Sequence, residues 1–269
     1  MDYPEYLYHY TSIETLALIM SKRCIRFNCL KFVDDPEENV SSDIKQSGKL
    51  CLVSCWTDMV EDSLPMWNMY TPKMRGVKLK MKSYPFKEYP ATMKNAWNLL
   101  DSDGNIVEES GMISYLGDYT SYIDEQKIMK ENKAFVVPPS PELIAVKYTN
   151  DEKLLKPKII SNGGFNIDRI GRFKRNCWKF QSEWRYIILF TSFSFKDIKI
   201  QKKAKELYSV KDIPYKNYDL ELADNAFEGM EITLGPKTSE AEEIIVNAIV
   251  EKYRGEHTIK IKRSNLHIQ

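Results

Sequence analysis

The sequence predicts an α+β fold: a mixed, mainly antiparallel sheet with peripheral helices. Three observations carry this. Short runs of β-forming residues recur from Leu7 to the C-terminal end, each bounded by turn residues. Helical signals are few and scattered. The regular strand–helix–strand alternation that would call for a doubly wound parallel sheet is missing.

The first strand is Leu7-Tyr8-His9-Tyr10, and a helix follows at once. Thr11 and Glu14 have the T-x-x-E spacing of a capping box, so the helix should start near Ser12. Ile13, Leu16, Ala17 and Met20 recur at three- and four-residue spacing and give it one buried face. Arg23–Asn28 reads as a second strand, and Asp34-Asp35-Pro36-Glu37-Glu38 as an acidic turn. Lys49–Trp56 looks like a buried strand. Asp62 or Ser63 should cap a short helix carrying Met66, Trp67, Met69 and Tyr70. Gly76–Lys82 alternates apolar and basic residues, the period of a half-exposed strand.

The pattern loosens from Tyr84 to Ser140, where Asp101-Ser102-Asp103-Gly104-Asn105 reads as a hairpin tip and Pro138–Pro141 as a connector. Leu143–Tyr148 resumes the sheet. Asp168–Lys179 reads as a basic helix and Glu183–Phe190 as a strand. Glu231–Leu234 is a further strand. Ser239-x-x-Glu242 then caps a helix with Ile245, Ile249 and Tyr253 among its apolar positions, and residues 257–263 form a last strand. With 269 residues and no internal repeat, the chain reads as a single domain, 1–269, with a helical or hairpin insertion at about 85–140.

Composition narrows the class of function. A net charge of +1 gives no global pull toward nucleic acid or membrane. The charge is uneven, however: from Lys153 to Arg185 nine Lys or Arg residues stand against Asp168 and Glu183. That stretch is either a solvated helix face or a docking surface for phosphates. No uncharged apolar run is long enough to span a bilayer, and no signal peptide is evident. Five scattered cysteines fit a reducing, cytoplasmic setting. Cys51 and Cys55 share one strand with no histidine nearby in sequence, so no metal is expected.

Familiar cofactor loops are absent: there is no G-x-G-x-x-G, no G-x-x-x-x-G-K-[ST], no H-E-x-x-H and no G-x-S-x-G. What remains is His9, the sole histidine before His257, and Gln181-Ser182-Glu183 at the head of a later strand. Each also has a plain structural reading. His9 could be a core histidine bonded to backbone, Glu183 a surface salt-bridge partner of Arg185 or a nearby lysine, and Trp67 and Tyr70 core aromatics. Asp34, Asp35, Glu38 and Lys174 allow a third reading, a Mg²⁺-dependent nuclease.

Tyr8-His9-Tyr10-Thr11-Ser12, Asp34-Asp35-Pro36-x-Glu38, Met66-Trp67-x-x-Tyr70 before Gly76-Val77, Lys174-x-x-x-Trp178 and Glu183-Trp184-Arg185 together resemble a bacterial family catalogued as a domain of unknown function. Asp34 stands where asparagine is more typical, and Gln181 where a glutamate often precedes the Glu183 position. The first-strand histidine, the capped helix after it and the Q-x-E of Gln181 and Glu183 also resemble the ADP-ribosyltransferase superfamily. That resemblance implies an ADP-ribosyltransferase-like sheet and an enzyme that cleaves the nicotinamide–ribose bond of NAD, its substrate, and transfers ADP-ribose to a macromolecular acceptor, protein or nucleic acid. A toxin or anti-phage effector is one setting for such an activity. Glu183, His9 and Gln181 would be the catalytic set, with Glu183 stabilising an oxocarbenium-like ribose and His9 donating to a ribose hydroxyl. His9, Tyr10, Thr11, Trp67, Tyr70, Lys174 and Arg185 would hold NAD, with Tyr70 or Trp67 stacking on nicotinamide and Lys174, Arg175 or Arg185 holding phosphates. The alternative is a non-catalytic nucleic-acid or protein binding module of the same family.

Overall fold

The structure, a computed structural model, describes residues 3–90, 120–124, 127–128, 131, 141–161, 164–165, 167–190 and 215–268. In chain order its elements are β1 (Tyr6–Thr11), α1 (Ile13–Lys22), β2 (Cys24–Cys29), β3 (Cys51–Thr57), α2 (Leu64–Tyr70) and β4 (Val77–Lys82). The short strands β5 (Tyr89–Pro90) and β6 (Thr120–Ser121) come next, then β7 (Glu142–Ala145), β8 (Lys147–Thr149), α3 (Glu152–Leu155), β9 (Ile160–Ser161), β10 (Gly164–Phe165) and β11 (Phe173–Arg175). The chain closes with β12 (Glu183–Leu189), β13 (Asn217–Glu221), β14 (Glu231–Leu234), α4 (Glu240–Tyr253) and β15 (Lys260–Arg263). Most of the insertion expected near 85–140, the hairpin tip at 101–105 and Pro138 to Ser140 lie outside the described residues.

Nine of these strands form one mixed sheet whose pairings are antiparallel except for β14 with β15, which run parallel across α4. Strand β3 is its hub. One edge of β3 is filled by β12 along its whole length, from Cys51 opposite Leu189 to Thr57 opposite Glu183. The other edge is shared. β2 pairs with Leu52 and Val53 at the start of β3, and β1 pairs with Thr57 at its end. Both neighbours are antiparallel to β3 and so parallel to each other, with α1 crossing between them. They part around Ser54, Cys55 and Trp56, and the sheet forks there.

Alternation along the strands gives the sheet two apolar layers. Leu7, Leu79, Met81, Leu52, Trp56, Tyr186 and Ile188 join α1 and α4 in the larger core. Cys51, Val53, Ile187 and Leu189 form a smaller one with Leu30 and Ile170. At the fork the paired strands stay close because Gly76, just before β4, lies against the end of β1. A Cβ there would sit 2.2 Å from the Thr11 carbonyl oxygen.

Several expectations are corrected. Thr11 is the last residue of β1, and Ser12 caps α1 by accepting from the Thr15 N–H at 3.1 Å. The buried face of α1 is Leu16, Ile19 and Met20. Strand β4 is more buried than its alternation implies: Lys78 is paired with Asp62 at 2.5 Å, with side chains 5% and 13% exposed. Leu143–Tyr148 is two strands, because Glu142–Ala145 pairs with β12 while Lys147–Thr149 turns to pair with β11, and Val146 between them still donates to the Glu183 carbonyl. The Ser239–Glu242 capping box forms, but α4 buries Val246 and Val250 and leaves Ile245 49% exposed. The basic helix expected over 168–179 does not form. Residues 167–169 make a 3₁₀ turn, Gly171 takes φ +77°, Phe173–Arg175 pair in parallel with β8, and Asn176–Gln181 make a second 3₁₀ turn. Burial of Lys174 against carboxylates overrides helical propensity there.

Candidate functional site

Two cavities meet at the fork. One, of about 430 Å³, opens toward α2 and the head of β12; the other, of about 390 Å³, opens toward α1 and β2. His9, Tyr10, Asn28, Val33, Cys55 and Tyr70 line both, so the two are adjoining lobes with these side chains between them.

The floor of the first lobe is a buried charge cluster. Arg185, 0% exposed, points Nε and one terminal nitrogen at Glu183 Oε1, at 2.8 and 2.6 Å. Its other terminal nitrogen donates to Glu38 and, at 2.9 Å, to the Gly171 carbonyl. Lys174 Nζ donates to Glu183 Oε2 at 3.0 Å and to Gln181 Oε1 at 2.8 Å, and lies 3.5 Å from Glu38. Two carboxylates and two cations therefore share one desolvated site, which is tolerable only because they neutralise one another.

Burial pushes the Glu183 carboxyl up, but the charges of Arg185 and Lys174 outweigh it and hold Glu183 below the usual glutamate range. Burial prevails at Glu38, whose carboxyl sits above that range despite the same two cations. Desolvation works against the Arg185 charge, yet Glu183 and Glu38 raise its pKa well above normal.

Local geometry delivers these groups. Pro36 opens the 3₁₀ turn Pro36–Asn39, and Asp35 caps it by accepting from the Glu37 N–H at 3.0 Å. The turn aims Glu38 inward, while Glu37 pairs with Arg175 on β11. Ser182 adopts the left-handed conformation, φ 42° and ψ 53°. Its hydroxyl and the Trp184 indole both donate to Asp58, at 2.9 and 3.0 Å, while Gln181 and Glu183 meet Lys174.

His9 lies on the same groove but enters it differently. Tyr8, Thr57 and Glu183 stand side by side across β1, β3 and β12, so His9 is one residue out of phase and leaves its strand on the other face. Its Nδ1 is 2.9 Å from the Cys55 carbonyl. A carbonyl only accepts, so Nδ1 carries the proton. Burial lowers the imidazole pKa, partly offset by that hydrogen bond, which keeps the ring neutral and makes Nε2 an acceptor. Nε2 therefore has no proton to donate, unlike the donor role expected of His9.

Of the other expected ligand-binding residues, Tyr70 lines both lobes and its hydroxyl accepts from Gln181. Tyr10 also lines both, and its hydroxyl accepts from the Ser63 N–H at 3.1 Å. Thr11 lines only the α1 lobe. Trp67 is corrected: it is 0% exposed and packs edge-on to Tyr10 at 4.8 Å, away from the groove. Lys174 and Arg185, expected to hold phosphates, line the first lobe, and each is paired with a carboxylate, as is Arg175. Lys156 and Arg172 are paired as well, so much of the basic stretch is neutralised. Of the acidic residues in the nuclease reading, Glu38 is paired with Lys174 and Arg185 and Asp35 caps its turn, and no group of three or more His, Cys, Asp or Glu placed to hold a metal ion occurs among the described residues.

Sequence reasoning missed Glu38 as the partner of Arg185, 147 residues away. The available signal was an unpaired basic residue within a strand otherwise built for burial. No helix among the described residues is long and apolar enough to cross a membrane. No family model matches the chain, and neither a curated protein nor a solved structure matches it.

Proposed function

We propose that the groove binds NAD and that the protein is an ADP-ribosyltransferase-like enzyme, cleaving the nicotinamide–ribose bond and passing ADP-ribose to a macromolecular acceptor. The observation that carries this reading is that His9, Tyr70, Gln181 and Glu183, from four separate elements, line one lobe at the fork of the sheet. These are the residue types the ADP-ribosyltransferase resemblance implies: a first-strand histidine, an aromatic for the nicotinamide ring and a late Q-x-E glutamate.

The chemistry fits with one revision. Glu183, held ionised by Arg185 and Lys174, acts by charge, not as a base. As the C1′–N bond breaks, its electron pair leaves on nicotinamide and positive charge builds on the ribose. Glu183 holds a ribose hydroxyl more tightly in that state, competing with the Cys55 thiol, a weak donor to the same carboxylate. The acceptor's lone pair then forms the new C1′ bond, and its proton passes to water. His9 Nε2 accepts from a second hydroxyl and fixes orientation.

Purified protein incubated with labelled NAD and cell protein, RNA or DNA should release nicotinamide and label one acceptor class. Glu183→Gln should lower turnover about 10²-fold or more, the scale of a lost electrostatic stabiliser. Full turnover in that variant would remove Glu183 from the reaction.

The commitment of both Glu183 oxygens to Arg185 and Lys174 favours a second reading, a binding module without catalysis. It expects a nucleic acid or a partner protein to bind, with no nicotinamide release. The neutralised basic stretch weakens its nucleic-acid form.

A further inference from the structure

We propose that α4 pairs antiparallel with α4 of a second copy of this chain, across the exposed face centred on Ile244 and Ala248. This surface stands apart from the groove, since no residue lining either lobe lies on α4. The helix turns Val246 and Val250 into the core. Its opposite face carries Ala241, Ile244 and Ala248, all exposed, with exposed Ile245 at the border. Ile244 is 69% exposed, more than any other large apolar side chain among the described residues. A solvated helix face should be polar. An apolar stripe at three- and four-residue spacing is what a helix presents to a partner.

The charges of α4 select the partner. Glu242 pairs with Arg75, Glu243 with Arg263 and Glu251 with Arg254. Glu240 and Lys252 take no ion pair with a described residue, and the Lys252 ammonium lies over the Tyr253 ring at 5.1 Å. These two exposed charges stand at opposite ends of the helix and have opposite sign. Glu240, Ile244, Ala248 and Lys252 follow at four-residue spacing, so they form one ridge across the exposed face. A twofold axis perpendicular to that ridge sets Glu240 opposite Lys252 of the second copy, and Ile244 opposite Ala248. Anion then meets cation, and a bulky side chain meets a small one. Ridges matched in this way give the commonest crossing of packed helices, about 50°. A parallel pairing would set Glu240 against Glu240, which like charge disfavours. The twofold contact closes on itself, so it makes a dimer and not a filament. Its 14 residues, each rising about 1.5 Å, make α4 about 21 Å long. One such face buries well under the roughly 1,000 Å² of a permanent interface, so the dimer is weak, with Kd in the micromolar range.

Sedimentation velocity of the full chain across the micromolar range tests this. The wild type should pass from monomer to dimer as concentration rises. Ile244→Glu should abolish the dimer, because it sets a carboxylate against Ala248. Glu240→Lys and Lys252→Glu should each weaken it about fivefold or more, since the twofold axis repeats every like-charge contact. Combining the two reversals exchanges the signs of both pairs and should restore the wild-type affinity to within about twofold. All three positions are exposed, so folding is spared, and thermal unfolding of each variant checks it. A wild type that stays monomeric at every concentration overturns the pairing. So does a dimer that survives Ile244→Glu in a folded variant. A dimer lost in Ile244→Glu overturns the antiparallel register if neither reversal weakens it, or if the combined reversal fails to rescue it.

Discussion

The imidazole of His9 donates from Nδ1 to the Cys55 carbonyl at 2.9 Å, taking the place a strand N–H would fill on that edge of β3. The fork exists because β1 and β2 part around Cys55, and a parting of strands strands a buried carbonyl. His9 satisfies it through one ring nitrogen, as a core histidine would, and leaves Nε2 as an acceptor.

Burial of that ring, only partly offset by the bond, has a pH consequence. His9 has its folded pKa below the ordinary 6.5, so as pH falls through 6.5 the unfolded chain takes the proton first. Stability from this group is therefore full above pH 6.5 and declines as pH drops beneath it. Replacing His9 with Gln keeps a donor for the Cys55 carbonyl and removes the titration. Denaturant midpoints between pH 7 and pH 5 should fall less steeply in His9→Gln than in the wild type. Equal slopes would show that His9 is not the titrating group.

The charge cluster should respond asymmetrically to mutation. Arg185→Met leaves Glu38 and Glu183 buried with only Lys174 between them, and should cost about 3–5 kcal/mol of stability. Glu183→Gln keeps the shape and one acceptor oxygen, so it should cost less than Arg185→Met. Thermal or urea unfolding of the two variants gives the comparison, and a Glu183→Gln loss as large as that of Arg185→Met would contradict it.

Much of the strand content was legible in the sequence, because alternation and β-branched runs mark β1, β2, β3, β12 and β14 directly. The capping of α4 by Ser239 was legible for the same local reason. What local pattern could not show was partnership. Asp168–Lys179 has the charges of a solvated helix, yet Lys174 is buried because Glu38 and Glu183 receive it. Trp67 and Tyr70 share a helix at i and i+3, and only tertiary packing sends one into the core and the other into the groove. The joining of His9 to Glu183 in one lobe depends on the register of β1, β3 and β12, which no segment encodes by itself.

Tyr70 and Trp67 separate binding from packing. Tyr70→Phe removes the hydroxyl that accepts from Gln181 and keeps the ring. It should change ligand affinity or turnover with a stability cost near 1 kcal/mol, the ordinary worth of one hydrogen bond. Trp67→Phe should do the opposite, costing stability through lost burial while leaving the affinity for NAD or ADP-ribose unchanged. Calorimetric titration and thermal unfolding on both variants decide this, and a Trp67→Phe loss confined to ligand binding would return Trp67 to the site.

Gly171 offers a test of the cluster from its backbone side. It takes φ +77°, and its carbonyl accepts from Arg185 at 2.9 Å. A Cβ there would meet Cys51 Sγ at 3.3 Å and Leu30 Cδ2 at 3.4 Å, so Ala adds crowding to backbone strain. Gly255 takes φ +62° with open space around it. Gly255→Ala therefore reports the conformational cost alone, about 1 kcal/mol. Gly171→Ala should exceed it, since the backbone shift that relieves the strain also moves the carbonyl holding Arg185. Unfolding free energies of the two variants give the difference directly. Equal losses would mean that the Gly171 carbonyl contributes nothing to holding Arg185 beyond its local turn.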